Sequence, residues 1–356
     1  MMFLKLTRSI PSTPYVRAWT GLLLILCLAI ANLLPSCARL SGIDPANTSG
    51  DVIYLNRDLS TGNLSEWTHR DFGLGTDVGG NTSGAGYLWY HADIVGRRAA
   101  GLTATSTAHA SPAANSDSVY LWEPAQFWNY APYEIWLRTS LLFPSAATIS
   151  AVGAAGEQLF HPTTGSWNWL LEFHNDNSRM PSCAREFANI ALTVKTDDPV
   201  QSGVVGTARV RMALRIMGGD DCNPNIVWVD GPPLQWDHWY EILLHVKWDA
   251  SDGIVEWYLD NLTAPYYSNS HVPTLYTRPL WYRSPSYTTL TLANYRFHAP
   301  WSSTIYLGPV VVGSTQSSVL DAFLNGRAES SKSPRPPQGF ATPSQGRRQT
   351  PGPADQ

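Results

Sequence analysis

Alternation is the feature that most limits what this chain can fold into. From Tyr133 to Phe143, Ile135, Leu137, Leu141 and Phe143 fall on one side of an extended chain. Glu134, Trp136 and Arg138 fall on the other, and Pro144 ends the segment. Trp167 to His174 repeats the pattern, setting Trp169, Leu171 and Phe173 against Glu172 and His174. Between Arg209 and Met217 three arginines, Arg209, Arg211 and Arg215, share one side. Trp239 to Trp248 and Ile254 to Asp260 are joined by Asp249-Ala250-Ser251-Asp252-Gly253, a hairpin signal. Thr288 to Phe297 and Thr304 to Val312 are the last such runs. No segment keeps a helical period for three turns, and no repeat of fixed length appears, which argues against propellers and solenoids. The economical architecture is all-β: one antiparallel β-sandwich of two packed sheets over residues 50–320.

Composition agrees. With 15 Trp, 16 Tyr, 27 Gly, 26 Pro and only 15% charged residues, strands and turns are favoured over a helical bundle. The formal charge of −4 is unevenly spread: residues 1–40 carry +4 and residues 327–356 carry +3, so the body between them carries −11. Such a body is not expected to hold nucleic acid or an anionic membrane surface non-specifically, although a local basic cleft is compatible with it.

The ends read differently from the body. Lys5, Arg8 and Arg17 precede the apolar stretch Gly21 to Leu34, which is short for a span of about 20 residues and reads as an export signal. Leu34-Pro35-Ser36-Cys37 resembles a bacterial lipobox, with Pro35 as its departure, so Cys37 is a candidate lipidation site. Ordinary cleavage near Ser36–Ala38 and an uncleaved anchor are the alternatives. All three place the body outside the cytoplasm, secreted or held on the outer side of the membrane through residues 1–40 alone. Residues 327–356 are rich in Pro, Ser, Gln and Arg and are expected to form a disordered tail. Cys27 lies in the apolar stretch, which leaves Cys183 and Cys222 to pair as one disulfide in an oxidising compartment. Closing a loop of about 40 residues would contribute about 3–4 kcal/mol.

Trp236-Asp237-His238-Trp239-Tyr240-Glu241-Ile242-Leu243-Leu244-His245-Val246-Lys247-Trp248, followed by Asp252-Gly253-Ile254-Val255-Glu256-Trp257-Tyr258-Leu259-Asp260-Asn261, resembles a hairpin of the heparin-lyase-like and alginate-lyase-like polysaccharide lyases. Leu171-Glu172-Phe173-His174-Asn175 looks like that family's Q-x-H strand, and Thr291 to Arg296 sits where it carries K-x-G-x-Y-R. Arg57 to Ser60 and Leu64 to Trp67 resemble its opening edge strand. The resemblance implies a concanavalin A-like jelly roll acting on a uronic-acid-containing glycan. Thr291 and Ala293 replace the Lys and Gly of one motif, and Glu172 replaces the Gln of the other.

Lyases of this kind work by β-elimination: a base removes the C5 proton, an acid protonates the departing O4, and a further group neutralises the carboxylate. The resemblance nominates His174 as base or neutraliser and Tyr295 as acid, or as both acid and base, and a positive charge on the polar face shared with Trp136 nominates Arg138. Asn175 is within reach of the carboxylate in sequence, but as the neighbour of His174 on a strand it should face the other way. Sugar rings stack on aromatic faces, so Trp136 and the run containing Trp281, Tyr282 and Arg283 are candidates for the groove, with Lys247 from the hairpin. Most tryptophans, however, should fill the core.

A laminarinase-type hydrolase needs an E-x-D-x-x-E strand, which is absent. A non-catalytic, lectin-like surface protein is the main alternative, and Thr291 and Ala293 favour it. A structural calcium is compatible with such a sandwich, yet Asp197-Asp198 and Asp220-Asp221 lack ligand spacing, so no metal residues are assigned. We expect a monomer whose partner is a polysaccharide.

Overall fold

A computed structural model describes residues 51–71, 86–105, 116–123, 134–153, 156–162, 165–175, 188–196, 210–220, 222–276, 288–297, 299 and 301–330. The strands are β1 (Ile53–Arg57), β2 (His69–Asp71), β3 (Gly86–Ile94), β4 (Arg97–Ala104), β5 (Ser116–Glu123), β6 (Glu134–Leu142), β7 (Gly165–Asn175) and β8 (Ala188–Thr196). They continue as β9 (Val210–Gly219), β10 (Pro224–Pro233), β11 (Trp239–Lys247), β12 (Gly253–Leu259), β13 (Tyr267–Val272), β14 (Thr288–Phe297), β15 (Ser303–Leu307) and β16 (Val310–Gly313). Two helices, α1 (Ala146–Val152) and α2 (Gln316–Ser330), complete the described elements.

The strands form two antiparallel sheets, so the all-β sandwich read from the alternation is what the chain adopts. The first runs β13-β12-β11-β6-β15-β4-β3, with β16 joining β6 to β1; the second runs β10-β9-β8-β7-β14-β5-β2. Ile135, Leu137 and Leu141 of β6, Tyr240, Ile242, Leu244 and Val246 of β11, and Leu171 and Phe173 of β7 share one buried cluster. Each such side chain contributes roughly 1.5–3 kcal/mol by leaving water. The Phe173 and Trp248 rings meet edge-on at 5.3 Å, and Trp257 is fully buried, as expected of the tryptophans that fill the core.

Polar side chains also tie the sheets together. Asn294 of β14 donates to the carbonyls of Leu102, at 3.0 Å, and Ser303, at 2.6 Å, both on the first sheet. Arg296 is fully buried and donates to the carbonyls of Ala104 and Trp301. Even-numbered residues of β14 therefore point inward, which sends Tyr295 outward.

The hairpin that carries most of the family resemblance is built for folding. Asp249 Oδ1 accepts from the backbone N–H groups of Ser251 and Asp252, both at 2.8 Å, and closes the turn. Asp260, at φ 61°, accepts from the Glu241 N–H at 2.9 Å. Asp237, at φ 59°, accepts from Ser145 N at 2.8 Å, Ser145 Oγ at 2.6 Å and Thr148 Oγ1 at 2.7 Å, fastening the start of α1. Partial burial pushes its carboxyl up, but these hydrogen bonds outweigh that and leave it below the ordinary carboxylate value. Asp237→Asn should therefore cost about 1 kcal/mol in urea unfolding at neutral pH. Because the folded-state value is the depressed one, this contribution is lost as pH falls below about 4. An equal penalty at pH 3 and pH 7 would contradict the assignment.

Helix α2 departs from the expectation of no sustained helix. Its start is held reciprocally: Ser318 N donates to Thr315 Oγ1 at 3.1 Å and Thr315 N donates to Ser318 Oγ at 3.3 Å. Val319 and Phe323, one turn apart, pack on Leu243, Tyr258 and Val311 of the first sheet. Two apolar contacts are too few to print a clear period in sequence, so tertiary packing decides this helix. It runs through residues 327–330, the start of the stretch read as a tail; residues beyond 330 lie outside the described residues.

Candidate functional site

The nominated residues among those described divide between the two sheets. Arg138, Trp136 and Lys247 lie on the first sheet; His174, Asn175 and Tyr295 lie on the second. Arg138 and Tyr295 therefore lie on different sheets. The Arg138 side chain is 4% exposed, pairs with Glu241, and has its guanidinium 4.4 Å from the centre of the Phe323 ring of α2. Polar-face alternation identified its side of the strand correctly but not that a helix covers it. Trp136 stacks on His245 at 4.1 Å with planes 4° apart, and His245 reaches Glu134 at 2.7 Å and Glu256 at 2.8 Å. Lys247 pairs in register with Glu134 and Ile254 on the same strands.

On the second sheet, register separates the other two nominees. His174 stands opposite Thr289 and Tyr295 stands opposite Trp169. Six residues along β14 correspond to about 20 Å of strand between the two backbone positions. His174 and Asn175 are described by their backbone only. Trp281, Tyr282, Arg283, Cys183 and Cys37 lie outside the described residues. Cys222, in the turn between β9 and β10, is disulfide-bonded.

What the second sheet does assemble on its outer face is a cross-strand row: Trp122 of β5, Thr291 of β14, Glu172 of β7, Ala191 of β8, Arg215 of β9 and Trp228 of β10 are paired in succession. Ala191 stands between Glu172 and Arg215 in this row. Beyond it the Arg215 guanidinium donates to the Ala188 carbonyl at 3.3 Å, and its charge acts on Glu172 two strands away. Burial pushes the Glu172 carboxyl up to about 7, and the positive charge of Arg215 pulls it back only in part. Burial likewise lowers Arg215, opposed by Glu172 and then Tyr276. The positive charge nearest Glu172 in this row is that of Arg215 on β9.

The aromatics complete the face. Registers shift between Trp169 and Leu171, a bulge against β8, and Trp169 turns outward although simple alternation put it in the core with Leu171. There it packs with Ala191 and Tyr295, and the Arg215 guanidinium lies 4.3 Å from its ring centre. Tyr295 is half-buried, 5.8 Å from Tyr120 between ring centres. Trp228 lies 6.2 Å from Trp169 with planes 22° apart. Of these residues, Arg215 was visible as part of an arginine-bearing strand face. Trp169, Trp228 and Tyr120 carried no signal that separated them from core aromatics. Among the described residues, no group of three or more His, Cys, Asp or Glu is placed to hold a metal ion, and no helix is long and apolar enough to cross a membrane.

No protein-family model matches the sequence, and no curated protein matches it. Among solved structures, the chain is similar to the family 7 alginate lyase A1-II' in complex with product, at 11% identity and TM-score 0.40, over 66% of this chain and 86% of that one. It is similar to the cellulose-induced protein Cip1 at 8% identity and TM-score 0.37, over 73% and 97%. It is also similar to the globular domain of T. cruzi calreticulin at 8% identity and TM-score 0.39, over 78% and 95%.

Proposed function

We propose that the protein binds a polysaccharide across the outer face of the second sheet, with a uronic-acid-containing chain as its ligand class. The observation that carries this is the array of Tyr120, Tyr295, Trp169 and Trp228 with Arg215, reaching across six strands from β5 to β10. Flat rings meet the apolar faces of sugars, and cations meet their carboxylates. An export signal ending near Cys37 would deliver such a face to where extracellular polysaccharide is encountered.

Cleavage by β-elimination is the second reading, favoured by a phenol and a near-neutral carboxyl on one face. The C5 proton would pass to a base, its electron pair would form the C4=C5 double bond, the C4–O4 bond would break, and O4 would take a proton from an acid. Tyr295 supplies a hydroxyl, and Glu172, opposite Thr291 four residues along β14, supplies a carboxyl pushed up to about 7 by burial.

The test is retention of the purified chain on immobilised polyuronates, combined with ultraviolet absorbance of the unsaturated product. Retention is expected, and Tyr295→Ala should weaken it about tenfold, equivalent to about 1.4 kcal/mol. If product appears, Tyr295→Phe should abolish it while retention persists. Absence of retention on every polyuronate would overturn the binding proposal; retention without product would leave a binding protein and reject lysis.

A further inference from the structure

Trp228 is unusual among the aromatics of this face in being largely solvent-exposed, at 38%. It stands on β10, the edge strand, where the sheet ends. An exposed indole free to rotate would lose much of its binding energy to ordering, but this ring is held from beneath and beside. The Arg215 guanidinium lies 5.9 Å from its ring centre and 4.3 Å from that of Trp169. Lys195 Nζ of β8 lies 5.8 Å from the same ring centre. Lys195 also reaches Asp230 Oδ1 at 3.2 Å, and Arg211 of β9 reaches Asp230 Oδ2 at 3.5 Å. Asp230 is the next outward residue of β10 after Trp228, and its side chain is 44% exposed. Ile226, on the other side of Trp228 along the strand, is 45% exposed. An accessible ring, an accessible carboxylate and two cations therefore meet at one sheet edge, on three adjacent strands.

We propose that Trp228, Lys195, Arg211 and Asp230 form an outlying sugar subsite that accepts a carboxylate-bearing ring. The sugar stacks on the outer face of the Trp228 indole. Its carboxylate is drawn to Lys195 and Arg211, and Asp230 accepts from its hydroxyls. This rests on the reading of the second sheet as a glycan-binding face, and adds where the chain leaves that face and what selects a charged sugar there. Four strand spacings separate β10 from β14, about 19 Å, so the subsite and Tyr295 are engaged together only by a ligand several sugars long.

The probes are an oligouronide octasaccharide and its carboxyl-reduced, neutral counterpart, titrated calorimetrically against the full chain. Trp228→Ala should weaken octasaccharide binding about tenfold. Lys195→Gln should reduce the preference for the charged over the neutral octasaccharide by roughly threefold to tenfold, while binding of the neutral one changes little. Both positions are accessible, so melting temperatures should stay close to that of the unaltered protein. If Tyr295→Ala weakens the octasaccharide and Trp228→Ala does not, the face binds glycan but the subsite is refuted. An unchanged charged-to-neutral ratio in Lys195→Gln refutes its selectivity. Failure of the unaltered protein to bind either octasaccharide overturns the subsite and the reading beneath it.

Discussion

Glu172→Gln should leave the fold's stability nearly unchanged at about pH 4.5 and raise it by about 2–4 kcal/mol at pH 8. The Glu172 side chain is buried on the outer face of the second sheet, in a residue only 6% exposed, and its carboxyl is pushed up to about 7 from 4.5. Between those two values the folded chain holds a proton that the unfolded chain has released. Rising pH therefore favours unfolding across that window, and the loss is complete above about pH 7. Glutamine keeps the shape and the hydrogen-bonding capacity of the protonated form but never ionises. Some slope should remain in the variant, because Glu66 is also pushed up to about 7, by burial first and by Asp58 second. Urea unfolding at the two pH values reads the difference directly. Equal stability of the two proteins at pH 8 would mean that Glu172 ionises without penalty, and that Arg215 satisfies it fully.

Arg138→Ala should lower stability by about 3 kcal/mol and leave glycan retention intact at temperatures where the variant is folded. Its guanidinium pairs with Glu241, whose side chain is 14% exposed, and carries the Phe323 ring of α2. Removing it strips a nearly buried carboxylate of a cation and leaves Arg97 beside it. It also removes one of the contacts that hold the Phe323 ring of α2 on the first sheet. The two outer faces lie on opposite sides of a core about 10 Å thick, so a change at Arg138 has no direct path to Tyr295 or Trp228. A variant that melted like the unaltered protein but lost glycan retention would return Arg138 to the binding site and displace α2 from its assigned role.

The family-like motifs divide in the same manner. Asp237, Asp249, Asp260, Trp248 and Trp257 lie in the hairpin that matched best, and each closes a turn, caps a helix or fills the core. The triplet Asn294-Tyr295-Arg296 splits within itself: its outer two residues tie β14 to the first sheet, and only Tyr295 faces outward. Local pattern thus marked which residues matter to the fold more clearly than which of them meet a ligand. His174 and Tyr295 illustrate the limit. Each was picked out by its motif, yet their register depends on bulges in β7 and β14 that leave no mark in the alternation.

Period-two alternation and turn chemistry alone determined that this chain is an antiparallel sandwich, where its hairpin lies, and which side of β6 and β9 is polar. Those properties are local, set by side chains a few residues apart. Which strands are neighbours was decided only in three dimensions. Tertiary structure placed Arg138 beneath a helix and Tyr295 on the other sheet, and turned Trp169 outward through a bulge. It also set Arg215 and Glu172 two strands apart in one cross-strand row. These contacts join residues tens of positions apart, and their energies come from burial and charge that no single strand contains.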